Sequence, residues 1–449
     1  MIFILFGLIT GLLLISIVAY DRDMTAPCVL LVAAFWIASF CACLYADKWQ
    51  FENYLLIAVV MSGLCGFFLF SWGTYALSRK RKNTVKRQLV PLEISNLKLV
   101  LYLLFQLVLY LLTFLVMLKN VGIDFSLSRL ASIVGTYYEM NHTGSIIYTS
   151  SIVNIGTIIN FPGMYYILYL AINNILQKKR NSSLLYINIV IGAIGSLMSG
   201  TKTAFYMYII GAFVMIFILV CKSNGWRKNI NFKVIIRVSV ILVIVLASFT
   251  VIDNMQGRTL TDVSAVDKLA AYLGSPLKNL ELFISENHKT DQIFGAETFI
   301  SIYNDLYEIT GNGIFKIKNM YKYRWINGNG LGNVYTVFMP IYYDFGILGV
   351  FVVMGIIGWF SQRVYNRIKF RRIIFDVDYY VIFYAYVAFA VVFSFFSNKF
   401  FETIFSKTGV YFLIGMWMFD LFFMRFNIRD MKIKFNRRKY EGRGGWNGK

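Results

Sequence analysis

The chain has 449 residues, 58% of them hydrophobic and 15% charged, with a mean hydropathy of +0.61. This composition excludes a soluble globular protein and points to a polytopic helical membrane protein, because backbone groups in hydrocarbon must satisfy their own hydrogen bonds. The net charge of +21 would suit nucleic acid, but no soluble domain carries it as a folded patch, so no nucleic-acid partner is expected.

In chain order, uncharged runs long enough to cross about 30 Å of hydrocarbon fall at 2–20, 28–45, 54–77, 99–118, 149–174, 184–199, 204–221, 234–252, 346–362, 379–397 and 408–427. The expected fold is therefore an all-α polytopic membrane protein of about eleven transmembrane helices with one large helical loop outside the cytoplasm. Four regions follow: helices one to eight over 1–252, the loop with amphipathic and partly re-entrant helices over 253–345, helices nine to eleven over 346–428, and a basic tail over 429–449. The first twenty residues lack a basic leader and an Ala-x-Ala-like cleavage site, and so read as an anchor. The five cysteines lie in spans or at their ends and read as small core residues, not as a disulfide framework. Two histidines leave little for a His/Cys metal site, and no metal or other cofactor is expected.

Of the 44 Lys and Arg residues, 30 fall on one alternating set of loops and 14 on the other, eight of the latter within the long loop. The positive-inside rule makes the richer side cytoplasmic. The N-terminus and the long loop are then expected outside, and the C-terminus in the cytoplasm. Most of the excess charge serves orientation and contact with anionic membrane lipids. The tail from Arg429 is basic, glycine-rich and expected to be disordered.

Within the loop, Val263, Val266, Leu269, Ala270, Leu273, Leu277, Leu280 and Phe283 recur at helical steps, interrupted near Gly274-Ser275-Pro276. This pattern predicts one or two amphipathic helices lying on the membrane face. Phe299, Tyr303, Leu306 and Tyr307 predict another, ended by Gly311-Asn312-Gly313. The following stretch, rich in Tyr, Trp, Asn and Arg with Arg324 and Trp325, suits sugar: aromatic faces stack on pyranose C–H surfaces while amides bond hydroxyls. An interfacial aromatic belt would have the same composition. The glycines after Asn327 are not a dinucleotide fingerprint, since no strand is expected before them.

Asp21-Arg22-Asp23 and Asp376-Val377-Asp378 look like the Asp-x-Asp signature of metal-dependent sugar transferases. Both fall on the cytoplasmic side by charge count and read as solvated interfacial acids. Ser199-Gly200-Thr201-Lys202-Thr203 joins two spans in a tight outer turn, where Lys202 is either an ordinary membrane-surface lysine or a cation at the head of a helical hairpin placed to meet a lipid phosphate. Asn333-x-Tyr335-Thr336, then Pro340-Ile341-Tyr342-Tyr343-Asp344-Phe345-Gly346, is the most specific segment, with breaks expected at Pro340 and Gly346. Asp344, an acid at membrane depth, should face protein or a wet cavity and pair with a cation.

This last segment and the Gly200-Thr201-Lys202 turn resemble the Wzy-type oligosaccharide repeat-unit polymerases of O-antigen and capsular polysaccharide synthesis. The architectural likeness covers roughly residues 95–425, and its specific part lies at 195–205 and 333–349. The resemblance implies a metal-independent membrane glycosyltransferase of GT-C type, acting on the outer face of the bacterial plasma membrane. Its donor and acceptor would be undecaprenyl-diphosphate-linked oligosaccharides, and its partners a chain-length regulator and a flippase of the same pathway. The family carries arginines in two outer loops, which makes Arg129 and Arg258 the matching candidates.

Breaking a sugar–diphosphate bond builds negative charge on the leaving group, which Arg and Lys donors at the membrane surface would stabilise. The catalytic candidates are Arg258, Lys202, His288 and Asp344. The candidates for binding substrate are Arg129, Arg324, Asn333, Tyr335, Tyr343 and Trp325. A base for the acceptor hydroxyl would come from His142, His288, Glu139, Asp305 or Asp344. An O-antigen ligase with a histidine in its outer loop, or a flippase or exporter of lipid-linked sugars, remains an alternative.

Overall fold

Helices form where the chain is continuously apolar, since no other open backbone satisfies itself in lipid. A computed structural model describes residues 1–79, 89–123, 126, 129–198, 203–226, 265–286, 288, 293–317, 320–370, 377–427 and 432–433. The expected eighth span at 234–252 and the basic tail beyond 433 lie outside the described residues. The helices are α1 (Ile2–Ala19), α2 (Pro27–Leu44), α3 (Ala46–Trp49), α4 (Leu55–Arg79), α5 (Asn96–Val121), α6 (Leu130–Thr143) and α7 (Ser151–Leu176), then α8 (Ser183–Leu197), α9 (Thr203–Ser223), α10 (Ala265–Ile284), α11 (Ile300–Thr310), α12 (Phe338–Phe370), α13 (Tyr379–Val392) and α14 (Lys407–Asp420). Among the described residues eight helices are long and apolar enough to cross a membrane, and α8 and the segment Tyr379–Phe395 are shorter apolar helices. The protein is a helical polytopic membrane protein.

The bundle is organised around α13, which is apolar on every side and buried from Val381 to Val391 except at Phe383. Helices of this kind sit at the centre of a protein. The closest helix pair is α4 with α12, which run parallel: Ser62 Oγ donates to the carbonyl of Ile347, and Asn366 Nδ2 to that of Thr74. Gly63 and Gly66 on α4 lie against Phe338 and Phe351 of α12, and Gly355 and Gly358 on α12 lie against Phe70 and Phe67 of α4. A Cβ on Gly66 would lie 2.2 Å from the Phe351 carbonyl oxygen, and one on Gly358 2.6 Å from that of Phe67. Small residues three apart on each helix allow this approach of backbones in a setting where lipid supplies no hydrophobic drive.

Loops expected on the same side of the membrane meet at the same end of the bundle. At one end, among the described residues, three ion pairs are sealed inside: Asp23 with Lys369, Asp378 with Lys222, and Asp420 with Arg425. Asp23 also accepts from the Tyr365 and Thr25 hydroxyls, and Asp378 caps α13 through the Tyr380 N–H. The expectation of solvated acids therefore fails at Asp23 and Asp378, whose side chains are 6% and 7% exposed. Each acid is instead enclosed with a lysine from a distant helix, which a local reading of the turn cannot foresee. Asp21 is half-exposed beside Arg79 and accepts from Tyr75.

At the other end, the link after α3 meets the long loop. Glu281 on α10 accepts the backbone N–H groups of Glu52 and Asn53 at 2.6 and 2.7 Å, and Lys278 donates to the carbonyl of Gln50. The expected surface helix broken near Pro276 is in fact one continuous helix wedged against α2. Residues 275–281 are buried all round, and Gly274 lets the α10 backbone pass within contact of Ala42. Lys278 and Glu281 pair with each other and with loop backbone, so the polar face of α10 meets protein rather than water or lipid headgroups.

α11 ends at Gly311 in the left-handed conformation, as the glycine predicted. A short hairpin follows, with β1 (Arg324–Ile326) antiparallel to β2 (Asn329–Gly332). A strand therefore does precede the glycine run, contrary to expectation. Asn327 and Gly328 take positive φ of 46° and 75°, the two-residue turn that Asn-Gly favours. α12 is broken at Gly346 (φ 64°, ψ −166°), whereas Pro340 sits in its first turn and breaks nothing.

Candidate functional site

The polar end of the bundle holds a cleft of about 620 Å³ between α11, the segment after β2, and the turn joining α13 to α14. Its chemistry comes from Asn304, Tyr321, Asn333, Tyr335, Lys399 and Glu402. Two amides, two phenols, one ammonium and one carboxylate face a common space beside the Phe396 ring, a set able to bond hydroxyls and cover an apolar sugar face.

Each wall is pinned by backbone contacts. Asn279, fully buried on α10, donates to the carbonyls of Leu331, Gly332 and Val334, the last at 2.8 Å, and so fixes the strand that presents Asn333. The Val337 N–H donates to the Ser394 carbonyl, which joins that segment to the end of α13. Asn398 Nδ2 donates to the Thr298 carbonyl at 2.9 Å, tying the opposite turn to the loop. This turn continues into a π-helical turn, Phe400–Ile404, which sets Lys399 and Glu402 one turn apart as an ion pair.

A second cluster backs the Tyr335 wall. The Arg324 guanidinium forks onto both oxygens of Glu286, with Nη2 to Oε2 at 2.8 Å, and its Nε donates to the Tyr335 hydroxyl at 2.6 Å. That hydroxyl in turn donates to the carbonyl of Lys322. His288 stacks on Phe283 with centroids 4.0 Å apart. Its Nε2 lies 3.1 Å from the Phe283 carbonyl and 3.3 Å from Glu286. Tyr343 approaches the same imidazole edge-on, with centroids 6.2 Å apart. Hydrogen bonds from Arg324 hold the Glu286 carboxyl below its usual 4.5 despite partial burial, and the same bonds push the Arg324 guanidinium up. Burial pushes the Tyr321 and Tyr335 phenols up, with the charge of Glu402 adding at Tyr321, so both remain neutral donors.

The structure thus brings His288, Arg324, Tyr335 and Tyr343 into one cluster, and sets Asn333 and Tyr335 on the cleft. Asp344 lies beneath, accepting the Thr298 N–H at 2.6 Å and the Glu297 N–H at 3.4 Å. Backbone donors from the loop meet its charge, and the acid clamps loop to helix. Trp325 lies on the hairpin, 66% exposed, against Tyr323, and does not line the cleft. Arg129 is exposed at the start of α6. Lys202 and Arg258 lie outside the described residues, as does the His142 side chain. Asp305 accepts from the Lys407 N–H at 2.9 Å and caps α14 from outside.

Sequence reasoning missed Glu286, Asn304, Tyr321, Lys399 and Glu402. Lys399-x-x-Glu402 was visible as an opposite-charge pair in a short link between two apolar runs, and only its lysine had been counted, for orientation. Among the described residues no group of three or more His, Cys, Asp or Glu side chains converges as a metal cage. Comparison with family models, curated proteins and solved structures finds no match to this chain.

Proposed function

We propose that the protein polymerises undecaprenyl-diphosphate-linked oligosaccharide repeat units into O-antigen or capsular polysaccharide at the outer face of the plasma membrane. The growing glycan leaves its lipid carrier and joins the terminal sugar of a newly delivered unit. The observation that carries this reading is the cleft of Asn304, Tyr321, Asn333, Tyr335, Lys399 and Glu402. It is a sugar-like lining set over a bundle of lipid-spanning helices, and a substrate with a glycan head and a polyprenyl tail needs both surfaces at once. The lining amides and phenols bond ring hydroxyls, and Arg324 holds Tyr335 in place through its Nε.

The diphosphate group stays at the membrane surface, where developing charge on the leaving oxygen calls for fixed cationic donors. Lys202 and Arg258 keep that role in this reading, and Arg129 and Arg324 serve the bound glycan. The outer placement of the loop follows from the charge asymmetry, 30 basic residues against 14.

Disruption of the gene tests the reading. Cells should keep glycolipid bearing a single repeat unit and lose the long ladder. An intact ladder removes the proposal. Long chains that form but stay on the lipid carrier select a ligase instead, and repeat units stranded on the cytoplasmic leaflet select a flippase.

A further inference from the structure

We propose that Glu402 is the catalytic base that takes the proton from the attacking hydroxyl of the acceptor sugar, an assignment that rests on the transferase reading above. Glu402 is the one carboxylate among the described residues that lines the cleft, and its side chain is 26% exposed there. Its backbone is over-determined: the Glu402 N–H donates to Asn398, Ser406 Oγ donates to the Glu402 carbonyl, and Thr403 Oγ1 donates to that of Lys399. The Tyr386 hydroxyl, from the central helix, donates to the Thr403 carbonyl at 3.1 Å. A carboxylate on a π-helical turn so firmly held is aimed by the fold, and such turns recur at functional sites.

Three other carboxylates near this end are committed elsewhere. Asp344 accepts loop N–H groups, Glu286 is forked by Arg324, and Asp305 caps α14. His288 has its Nε2 against the Phe283 carbonyl and lies outside the cleft lining. Lys399 pairs with Glu402 and lines the same space, which makes it the residue that positions the carboxylate.

In the step, the acceptor oxygen forms a bond to the anomeric carbon of the donor glycan while its proton passes to a Glu402 carboxylate oxygen. The bond between that carbon and the phosphate oxygen breaks, and its electron pair leaves with the lipid diphosphate. Glu402 then releases the proton to water through the open cleft.

The test uses the full chain in lipid nanodiscs with a synthetic undecaprenyl-diphosphate repeat unit. The wild-type protein should build a ladder. Glu402→Gln, which keeps shape and removes basicity, should lose about 10²–10⁴-fold in kcat while the KM for the repeat unit moves less than about threefold. Glu402→Ala should regain part of its rate with added formate. Glu402→Asp, which keeps the charge but withdraws it by one methylene, should fall between wild type and Glu402→Gln, and it decides the matter if the amide variant fails to fold. A ladder from Glu402→Gln within fivefold of wild type, or a loss seen only in KM, overturns the assignment and leaves the transferase reading standing. A wild-type protein that builds no ladder overturns both.

Discussion

Adding one methyl group at Gly66 should drive α4 and α12 apart, and the same methyl at Gly73, seven residues along the same helix, should not. A Cβ on Gly66 would meet the Phe351 backbone oxygen at 2.2 Å and its carbonyl carbon at 2.9 Å, whereas one on Gly73 meets nothing within 4 Å. Ordinary contact begins at 3.4 Å, so the Gly66 site is short by about 1.2 Å. The obstructing atoms are main chain of a packed helix and cannot rotate aside. Overpacking of this kind costs about 1–3 kcal/mol, against a gain of about 1 kcal/mol from replacing glycine with alanine inside a helix. At Gly73 only the gain applies.

The two variants should therefore differ by about 1–3 kcal/mol, the overpacking term alone. At about 2 °C per kcal/mol for a large chain, that is a separation of about 2–6 °C in apparent melting temperature. The assay is a thermal-shift measurement on detergent-purified protein, all variants scanned at one rate because membrane proteins unfold irreversibly. Gly66→Leu should widen the gap. Activity should fall with Gly66→Ala too, since the first turns of α12 carry Tyr343 and Asp344 beneath the loop. A Gly66→Ala protein that melts at or above Gly73→Ala would refute the close-packed α4–α12 interface.

Three further outcomes follow from the geometry. Lys222→Met should destabilise by about 3–5 kcal/mol, because it strands the Asp378 carboxylate in a site where both partners are buried; the double variant Lys222→Met/Asp378→Asn should recover most of that loss in the same thermal assay. Glu286 has a folded-state pKa held below 4.5 by Arg324, so the stability it lends is complete above the ordinary glutamate range and is lost as pH falls through the lowered value. Hydrogen exchange at 322–335 should accordingly rise in wild type as pH falls below the ordinary glutamate range and show a weaker step in Glu286→Gln, with the effect modest because the carboxylate is 46% exposed. A reporter fused near Gly295 should be active only outside the cytoplasm; activity in the cytosol would remove the outer-face chemistry.

Helix positions were legible because hydrocarbon leaves the backbone no alternative, so a run of apolar residues is itself the signal. The helix end at Gly311 and the break at Gly346 were legible for a related reason: both are glycines at positive φ, a local property of one residue type. The polar segment from Asn333 to Asp344 did lead to the cleft, through Asn333 and Tyr335. Its partners did not show. Glu286 and Arg324 are 38 residues apart, and Glu281 caps a loop 228 residues away. The enclosed lysines and acids at the opposite end likewise join distant helices.

Composition and charge order determined by themselves that this is a helical membrane protein, and they paired its loops into two sets, because partition between water and lipid acts on each segment separately. Only the tertiary structure decided which polar groups are exposed and which are paired, and that Glu402 shares a cleft with Asn333. Those are properties of groups brought together from separate helices, and the energy of a charge depends on what surrounds it in space and not on its neighbours along the chain.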